Sequence, residues 1–339
     1  MYRGPVTRPR LSALDLAIVS GGKTSATALA DTTTLAQRAD TLGLTRFWVA
    51  EHHNMRTVAS TTPSVLIAHL AARTDRIRVG SGGVMLPNHP PLVIAEQFAM
   101  LEALHPGRID LGIGRAPGTD PATAAALRRS PSALGAEDFP LHLLDLMGLL
   151  GDVRTDRGLW SQFAATPAST STPWIGLLGS SDYSAELAGY LGLPYSFAHH
   201  FDRGPLATTV RAYELYRAAF RPSAVLQAPY AIVSANVLVA ATREEAEWFA
   251  APARIVLLGR HHGRFEQMQP PDVAAANPLL EQALALPSNR IVGTPDAAVE
   301  RLDELASLTQ AAELMVSTVT YDIAERVASL ELLANAWFG

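Results

Sequence analysis

Proton-transferring side chains follow one short apolar run of the sequence, and a pair of glycines follows the next. Glu51, His52 and His53 place a carboxylate beside two imidazoles. Because a histidine can accept or donate a proton near neutral pH, we predict that His52 is a catalytic acid or base, with Glu51 as its catalytic partner. Gly82 and Gly83 lack side chains, so the backbone there could lie against a flat ligand ring. The alternatives are a histidine that is merely hydrogen-bonded and a β-bulge or tight turn at the glycines.

Two further segments could bind a phosphate or a similar anion. Arg115 ends a fourth apolar run, and its guanidinium is a forked donor suited to phosphate. Ser180, Ser181 and Ser184 lie where a helix is expected to begin, and hydroxyls together with free N–H groups at a helix N-terminus can bind an anion. Taken singly, the serines are equally typical of helix caps and the arginine of a structural salt bridge.

Short apolar runs alternate with amphipathic stretches, and these elements must position the polar segments. The first predicted strands cover residues 14–19 and 46–50, with a helix over residues 26–42 between them, and the last strand covers residues 313–319. About eight such strand-helix units predict an α/β fold, a parallel sheet closed into a (β/α)8 TIM barrel. In such a barrel the active site forms at the carboxyl ends of the strands, which is where the polar segments occur.

The alternation also predicts the domain organisation. Residues 1–10 are expected to form a flexible N-terminal arm, and residues 11–339 a single barrel domain. Residues 260–290 contain several prolines and little periodicity, which predicts a long insertion near the C-terminal part of the chain. Loops of this length in a compact domain are usually functional lids or disordered, so we predict a lid loop.

Composition excludes several classes of function. The 339 residues contain no cysteine, which rules out disulfides, thiolate chemistry and cysteine metal sites. The net charge of −5 comes without a basic patch for nucleic acid, and no apolar run is long enough for a membrane span. The first ten residues lack the apolar stretch of a secretory signal, so a cytoplasmic location is expected.

Several motifs, in their order along the chain, resemble those of the bacterial luciferase-like flavin monooxygenases. They are Glu51-His52-His53, residues 79–87, residues 107–115 and, near the C-terminus, residues 292–295. The resemblance extends roughly from Leu14 to the C-terminus. It implies a luciferase-like barrel whose acid/base histidine is His52.

The resemblance also implies how the cofactor FMN is bound. A cis peptide between Gly82 and Gly83 would pack against the flavin ring. The phosphate would be held by one arginine and three serines, which are Arg115, Ser180, Ser181 and Ser184. The family has an acidic residue at the position of Ser180, so the hydrogen bonding at that position must differ here.

The activity implied by the resemblance is a two-component monooxygenation. No G-x-G-x-x-G motif follows the first strand, so reduced FMN would come from a separate flavin reductase. It would form a C4a-hydroperoxide with O2, from which one oxygen atom passes to a small organic substrate. Apolar candidates for the pocket wall, Trp48, Met85, Phe197 and Phe201, favour a substrate with an aromatic or aliphatic carbon skeleton, and the resemblance implies an aromatic or polyketide-type one. The similar branch of the family tailors natural products, as in antibiotic biosynthesis, by hydroxylation or by Baeyer–Villiger insertion. A homodimer is expected from the same resemblance.

Three other functions are compatible with the same residues. A flavin- or deazaflavin-dependent reductase would use the same fold for hydride transfer, and a non-catalytic flavin-binding protein would keep the fold without the chemistry. A metal hydrolase is disfavoured because adjacent histidines on a strand, such as His52 and His53, point in different directions. No metal ion is therefore expected.

Overall fold

Parallel strands form the centre of the molecule in a computed structural model that describes residues 8–128, 138–201 and 204–339. The strands are β1 (Arg10–Asp15), β2 (Arg46–Val49), β3 (Arg78–Met85), β4 (Ile109–Gly114), β5 (Trp174–Gly179), β6 (Tyr195–Phe197), β7 (Ala231–Val239), β8 (Ile291–Gly293) and β9 (Glu313–Ser317). They pair in the order β6-β5-β4-β3-β2-β1-β9-β7, and β7 also pairs with β6, so eight of these described strands close a barrel. The predicted (β/α)8 TIM barrel is confirmed.

Helices connect the strands, because parallel neighbours need a crossover between them. They are α1 (Ser25–Thr41), α2 (Pro63–Ala71), α3 (Pro91–Leu104), α4 (Pro121–Arg128), α5 (Phe139–Leu149), α6 (Asp182–Tyr190), α7 (Leu206–Ala219), α8 (Arg243–His261), α9 (Pro271–Ala275), α10 (Leu280–Ala285), α11 (Pro295–Thr309) and α12 (Ile323–Phe338). The main core lies between the strands and this helical layer, and it contains fully buried Phe47, Phe98 and Ile109. None of the helices that the structure describes combines the length and apolar character needed to cross a membrane.

The amino-terminal end of the barrel interior is filled by a buried network of charges. Asp110 accepts hydrogen bonds from Arg46 Nη1 at 2.8 Å, Trp48 Nε1 at 2.9 Å and Arg78 Nε at 2.7 Å. Arg46 Nε also donates to Glu313 at 2.8 Å. Burial would lower the pKa of Arg46, but the charges of Asp110 and Glu313 raise it above its usual value. Because this network closes one end of the barrel, a ligand must approach from the carboxyl ends of the strands.

The start of the barrel differs from the sequence prediction. β1 begins at Arg10, whereas the apolar run predicted a strand over residues 14–19. Ala17 has a positive φ of 51°, so the extended conformation cannot continue through that run. Of the arm predicted over residues 1–10, the described part is attached to the fold. Arg8 Nη1 donates to the Trp337 carbonyl at 3.0 Å, and the Trp337 indole donates to the Pro9 carbonyl at 3.0 Å.

An insertion between β7 and β8 lies at the carboxyl ends of the strands. It contains α8, α9 and α10, so residues 260–290 are partly helical and not the structureless loop that the prolines predicted. The Gly21 N–H, just after β1, donates to the Met268 carbonyl at 2.7 Å, and Asn289 Nδ2 donates to the Gly204 carbonyl at 3.0 Å. The insertion therefore crosses the end of the barrel where the polar segments were expected.

Candidate active site

His52 lies directly beyond β2, and its backbone and ring are both held in place. Its N–H donates to the Ser60 carbonyl at 3.0 Å, and its ring Nδ1 lies 3.1 Å from the Gly118 carbonyl oxygen. Because a carbonyl can only accept, Nδ1 must carry the proton, which leaves a lone pair on Nε2. Burial lowers the pKa of His52, the Gly118 hydrogen bond opposes this, and the nearby charge of Arg260 lowers the pKa further. The result is a neutral imidazole whose Nε2 can accept a proton.

Glu51 is fully buried and contacts a different set of groups from His52. Its Oε1 accepts hydrogen bonds from His53 Nε2 at 2.7 Å and His89 Nε2 at 2.8 Å, and its Oε2 accepts from the Met85 N–H at 2.9 Å. Burial alone would raise the pKa of Glu51, but these hydrogen bonds hold it below its usual value. Glu51 is therefore an ionised carboxylate that ties the end of β2 to the end of β3. Its predicted catalytic role stays a prediction.

Gly82 and Gly83 are joined by a cis peptide bond, as the family resemblance implied. The register between β3 and β4 also shifts between Gly82 and Val84. The β-bulge considered as an alternative therefore occurs at the same residues as the cis peptide. A Cβ on Gly83 would lie 2.7 Å from the Gly112 carbonyl oxygen, and a Cβ on Gly82 would lie 2.8 Å from Leu14 Cδ1. At Gly83 the crowding atom is backbone, so the fold requires glycine there, whereas at Gly82 it is the end of the Leu14 side chain.

Arg115 and the start of α6 lie side by side. The Arg115 guanidinium lies 4.3 Å from the centre of the Tyr183 ring, in the first turn of α6. Within the described residues no carboxylate forms an ion pair with Arg115. The first N–H groups of a helix also lack partners within it, so a cation and free donors meet here, as an FMN phosphate requires.

The three serines near Arg115 differ in their exposure. Ser180 is exposed, and Ser181 caps α6 by accepting from the Ser184 N–H. Ser184 is buried, and its hydroxyl donates to the Ser181 carbonyl at 2.8 Å. The helix-cap alternative is thus observed for Ser181, and the predicted contacts of all three with a phosphate stay predictions.

The strand opposite β2 contributes a second neutral histidine. His200 follows β6, and its Nδ1 lies 2.5 Å from Ser234 Oγ, which itself donates to the Phe197 carbonyl at 3.0 Å. Since the serine hydroxyl has already used its proton, His200 Nδ1 is the donor and Nε2 carries the lone pair. The pKa of His200 is lowered to about 3, mainly by burial and also by the electrostatic influence of His199, His52 and Arg290.

Some residues near the site were missed or misplaced by the sequence interpretation. Trp48, expected in the pocket wall, is 1% exposed and hydrogen-bonded to Asp110, so it belongs to the barrel interior. Phe201, which was also expected in the pocket wall, is 40% exposed to solvent. Arg260 and Arg290 were seen only as the ends of an irregular segment, yet their charges act on the two histidines of the site. Only their positive charge could have indicated this from the sequence.

One group of side chains has the composition of a metal-ligand set. The ligand atoms of Glu51, His53 and His89 all lie within 4.8 Å of one another. The hydrogen bonds from both imidazoles to Glu51 Oε1 account for this closeness without an ion. His52 and His53 have different partners, Gly118 and Glu51, so these neighbours do not converge on one ligand.

Comparison with known proteins identifies the class to which this barrel and site belong. The family model of the luciferase-like monooxygenases matches residues 11–311. The chain therefore belongs to the luciferase-like monooxygenase family, and it is an enzyme of the monooxygenase class.

Individual relatives match along nearly the whole chain. The uncharacterized protein YvbT of Bacillus subtilis is 45% identical over 334 residues, which cover 96% of each chain. The N-acetyl-S-alkylcysteine monooxygenase of the same organism is 34% identical over 339 residues, covering 96% of this chain and 98% of that protein. The crystal structure of apo-MsnO8 is 38% identical with a TM-score of 0.88, and it covers 97% of this chain and 98% of that chain.

Proposed function

We propose that this protein is an FMN-dependent monooxygenase of the two-component type, acting on a small organic substrate. One atom of O2 enters the substrate and the other leaves as water, with two electrons and two protons taken from reduced FMN. When bound, reduced FMN supplies the electrons that activate O2. A separate flavin reductase would reduce the FMN again after it dissociates.

The observation that carries the proposal is the protonation state of His52. Its Nδ1–H is committed to the Gly118 carbonyl, so Nε2 is an available base at the end of the barrel opposite the buried charge network. Burial and the charge of Arg260 keep the imidazole neutral at neutral pH. We propose that His52 accepts a proton from a reacting group during oxygen transfer and returns it when water is formed.

The contacts of Arg115 support binding of a phosphorylated flavin. Its guanidinium stacks on Tyr183 beside the N-terminus of α6, which provides a cation and free N–H donors for the phosphate. The side-chain-free pair Gly82-Gly83 on β3 would then contact the flavin ring. Ser180 and Ser181, at the same helix start, would add hydrogen bonds to the phosphate.

The insertion between β7 and β8 would exclude water from the bound flavin. Its Met268 carbonyl accepts from Gly21, so it already spans from β7 to the loop after β1. We propose that residues 260–290 act as a lid, which holds back water and keeps the activated oxygen for the substrate.

The candidate substrate classes come from the sequence and from one relative. The sequence favours aromatic or polyketide-type compounds, and the relative that is an N-acetyl-S-alkylcysteine monooxygenase adds thioethers to the candidates. Hydroxylation, Baeyer–Villiger insertion and sulfoxidation each place one oxygen atom of O2 in the substrate. A homodimer in the cytoplasm is part of the proposal, and exposed Val93, Met100 and Leu104 on α3 offer an apolar surface for it.

Oxygen labelling tests the proposal. The purified protein is supplied with FMN, NADH, a flavin reductase and 18O2, together with a phenol, a cyclic ketone and an N-acetyl-S-alkylcysteine. We expect one 18O atom in a product of at least one substrate, and its loss in His52→Gln with FMN binding retained. Hydride transfer from a reduced deazaflavin without incorporation of 18O would instead identify the reductase alternative and contradict the proposal.

A further inference from the structure

The loop that follows β4 contributes the carbonyl that fixes the proton of His52. Gly118 has a left-handed φ of +65°, and its carbonyl oxygen lies 3.1 Å from His52 Nδ1. A Cβ at Gly118 would lie 2.8 Å from the Glu51 carbonyl oxygen, so the loop backbone packs closely against the chain beyond β2. Residues 115–120 belong to no helix or strand. The tautomer of His52 therefore depends on the contacts that other segments make with this loop.

Asn88 contacts the loop directly before Gly118. It ends the short 3-10 helix Leu86–Asn88 that follows β3, and it is buried. Its Nδ2 donates to the Pro117 carbonyl at 2.9 Å. This carbonyl belongs to the peptide unit that joins Pro117 to Gly118, so the bond restrains the φ of Gly118. The direction of the Gly118 carbonyl depends on that angle.

The same Asn88 amide also faces the Glu51 carboxylate. Asn88 Nδ2 lies 3.5 Å from Glu51 Oε1. A carboxylate and a backbone carbonyl can both only accept, so both require the NH2 group of the amide on this side. Glu51 is fully buried and is held in turn by the Met85 N–H at 2.9 Å. The Asn88 amide thus connects the end of β2 with the loop after β4 in a defined orientation.

A second side chain holds the loop on the other side of Gly118. Thr119 Oγ1 donates to the His53 carbonyl at 2.9 Å. Gly118 therefore lies between two anchored neighbours, and both anchors lead to segments beside His52. The function proposed above uses the Gly118 carbonyl but gives no role to either anchoring side chain.

We propose that Asn88 is a positioning residue of the active site, which holds the loop after β4 so that the Gly118 carbonyl keeps the proton of His52 on Nδ1. The inference rests on the proposed function for the role of His52 as a base. Without the Asn88 donor, the buried Pro117 carbonyl loses its hydrogen bond and the loop can turn the Gly118 carbonyl away. Nδ1 then releases its proton, Nε2 takes one up from water, and the imidazole stays neutral. The lone pair that accepts a proton is lost from Nε2.

Two variants remove the Asn88 donor in different ways. Asn88→Leu keeps nearly the same volume without a polar group, and Asn88→Ser keeps a hydroxyl that is too short to replace the amide. We expect each to lower the ratio of the Nδ1–H to the Nε2–H tautomer of His52 about tenfold, which one ordinary hydrogen bond can account for. Gln37→Leu is the matched control. Gln37 Nε2 donates to the Arg73 carbonyl at 3.1 Å, an amide-to-carbonyl bond where α1 meets the chain before β3.

Nitrogen NMR of protein labelled with 15N-histidine measures the tautomer directly, because protonated and unprotonated ring nitrogens resonate far apart. Spectra are recorded without flavin and above neutral pH, and the His52 signals are assigned by their loss in His52→Gln. Circular dichroism checks the fold of each variant. In the same samples, kcat for 18O-labelled product should fall about tenfold or more in the Asn88 variants, because the ring also loses its fixed orientation. The dissociation constant for reduced FMN should stay unchanged.

The other outcomes overturn the inference, or separate it from the proposed function. An Nε2–H tautomer of His52 in the wild type would overturn it without any variant. A folded Asn88→Leu or Asn88→Ser protein with the wild-type tautomer ratio would also do so, as would an equal change in Gln37→Leu. Failure of both Asn88 variants to fold would show that the residue serves the fold and not His52. A shifted tautomer without 18O in any wild-type product supports this inference and refutes the oxygenase function.

Discussion

Replacing Asp110 by asparagine tests how the closed end of the barrel is stabilised. Asp110 on β4 accepts from Arg46, Trp48 and Arg78 at 2.7 to 2.9 Å, and its carboxylate is fully buried. Asp110→Asn keeps the shape of the side chain but removes the negative charge and turns one acceptor into a donor. Arg46 then retains only Glu313 as a counter-charge, and Arg78 loses its ion pair.

The expected decrease in the free energy of unfolding follows from the number and kind of these contacts. Breaking a buried ion pair by removing one partner typically costs about 3–5 kcal/mol, because the other charge stays buried without compensation. Glu313 still compensates part of the Arg46 charge, and the asparagine oxygen can still accept one hydrogen bond, so we expect the lower end, about 3 kcal/mol. Asp110→Ala removes that acceptor as well and should lose about 5 kcal/mol. These values are a large fraction of the total stability of a typical domain, about 5–15 kcal/mol.

Equilibrium unfolding in urea measures the effect against a matched control. Glu247 pairs with Arg243 at 2.7 Å on the surface of α8, with both side chains more than half exposed. Glu247→Gln removes the same kind of charge from an exposed i,i+4 pair and should change the free energy of unfolding by no more than about 0.5 kcal/mol. If Asp110→Asn and Glu247→Gln lowered the free energy of unfolding equally, the buried network would stabilise the barrel no more than an exposed ion pair does.

Three further predictions concern the reactive end of the barrel. Because the pKa of His52 is lowered and the base must be unprotonated, the decline of kcat/KM at acidic pH should be centred below 6.5. A pH profile measures this, and a decline centred above 6.5 would contradict it. Gly83→Ala places a Cβ 2.7 Å from the Gly112 carbonyl oxygen and should lower the free energy of unfolding by about 1–3 kcal/mol. Gly259→Ala in α8 places a Cβ 3.5 Å from the Arg264 carbonyl oxygen beyond the helix end, an ordinary contact, and should be neutral or stabilising. His200 is neutral in the fold with a pKa of about 3, so the unfolded chain takes up its proton first as the pH falls below 6.5. Its contribution is a loss of stability of at most about 1.4 kcal/mol per pH unit between pH 6.5 and about 3, which unfolding at several pH values detects and His200→Asn should reduce.

Local periodicity was sufficient to predict most of the barrel. The helix predicted over residues 26–42 is α1 (Ser25–Thr41), and the strand predicted over residues 46–50 is β2 (Arg46–Val49). For α1, the apolar pattern and the glycine that follows it agree with the observed helix. For β2, the apolar pattern agrees with the burial of the whole strand. β1 was misplaced because residues 14–19 are apolar except for Asp15, whereas the left-handed conformation of Ala17 is invisible in the sequence.

The helices and strand that follow β7, and the partners in the site, could not be predicted in the same way. β8 has three residues and forms only because the end of β7 offers it a pairing partner. The Gly118 carbonyl lies 66 positions from His52, so the contact that fixes the tautomer depends on how the barrel closes. The residue types around the site were therefore predictable from the sequence. The groups that Glu51 and Arg260 affect depend on long-range packing.

In the proposed function, Arg115 binds the phosphate of a reduced flavin at the end of the barrel where His52 lies. Anaerobic titration with reduced FMN and reduced riboflavin measures this most directly, because the two ligands differ only in the phosphate. We expect the wild type to bind reduced FMN at least about tenfold more tightly than reduced riboflavin, since the phosphate makes charge-assisted hydrogen bonds. Arg115→Met should remove that difference, while Arg243→Met on the surface of α8 should leave it intact. Equal affinity of the wild type for the two flavins, or a difference that persists in Arg115→Met, would contradict the account.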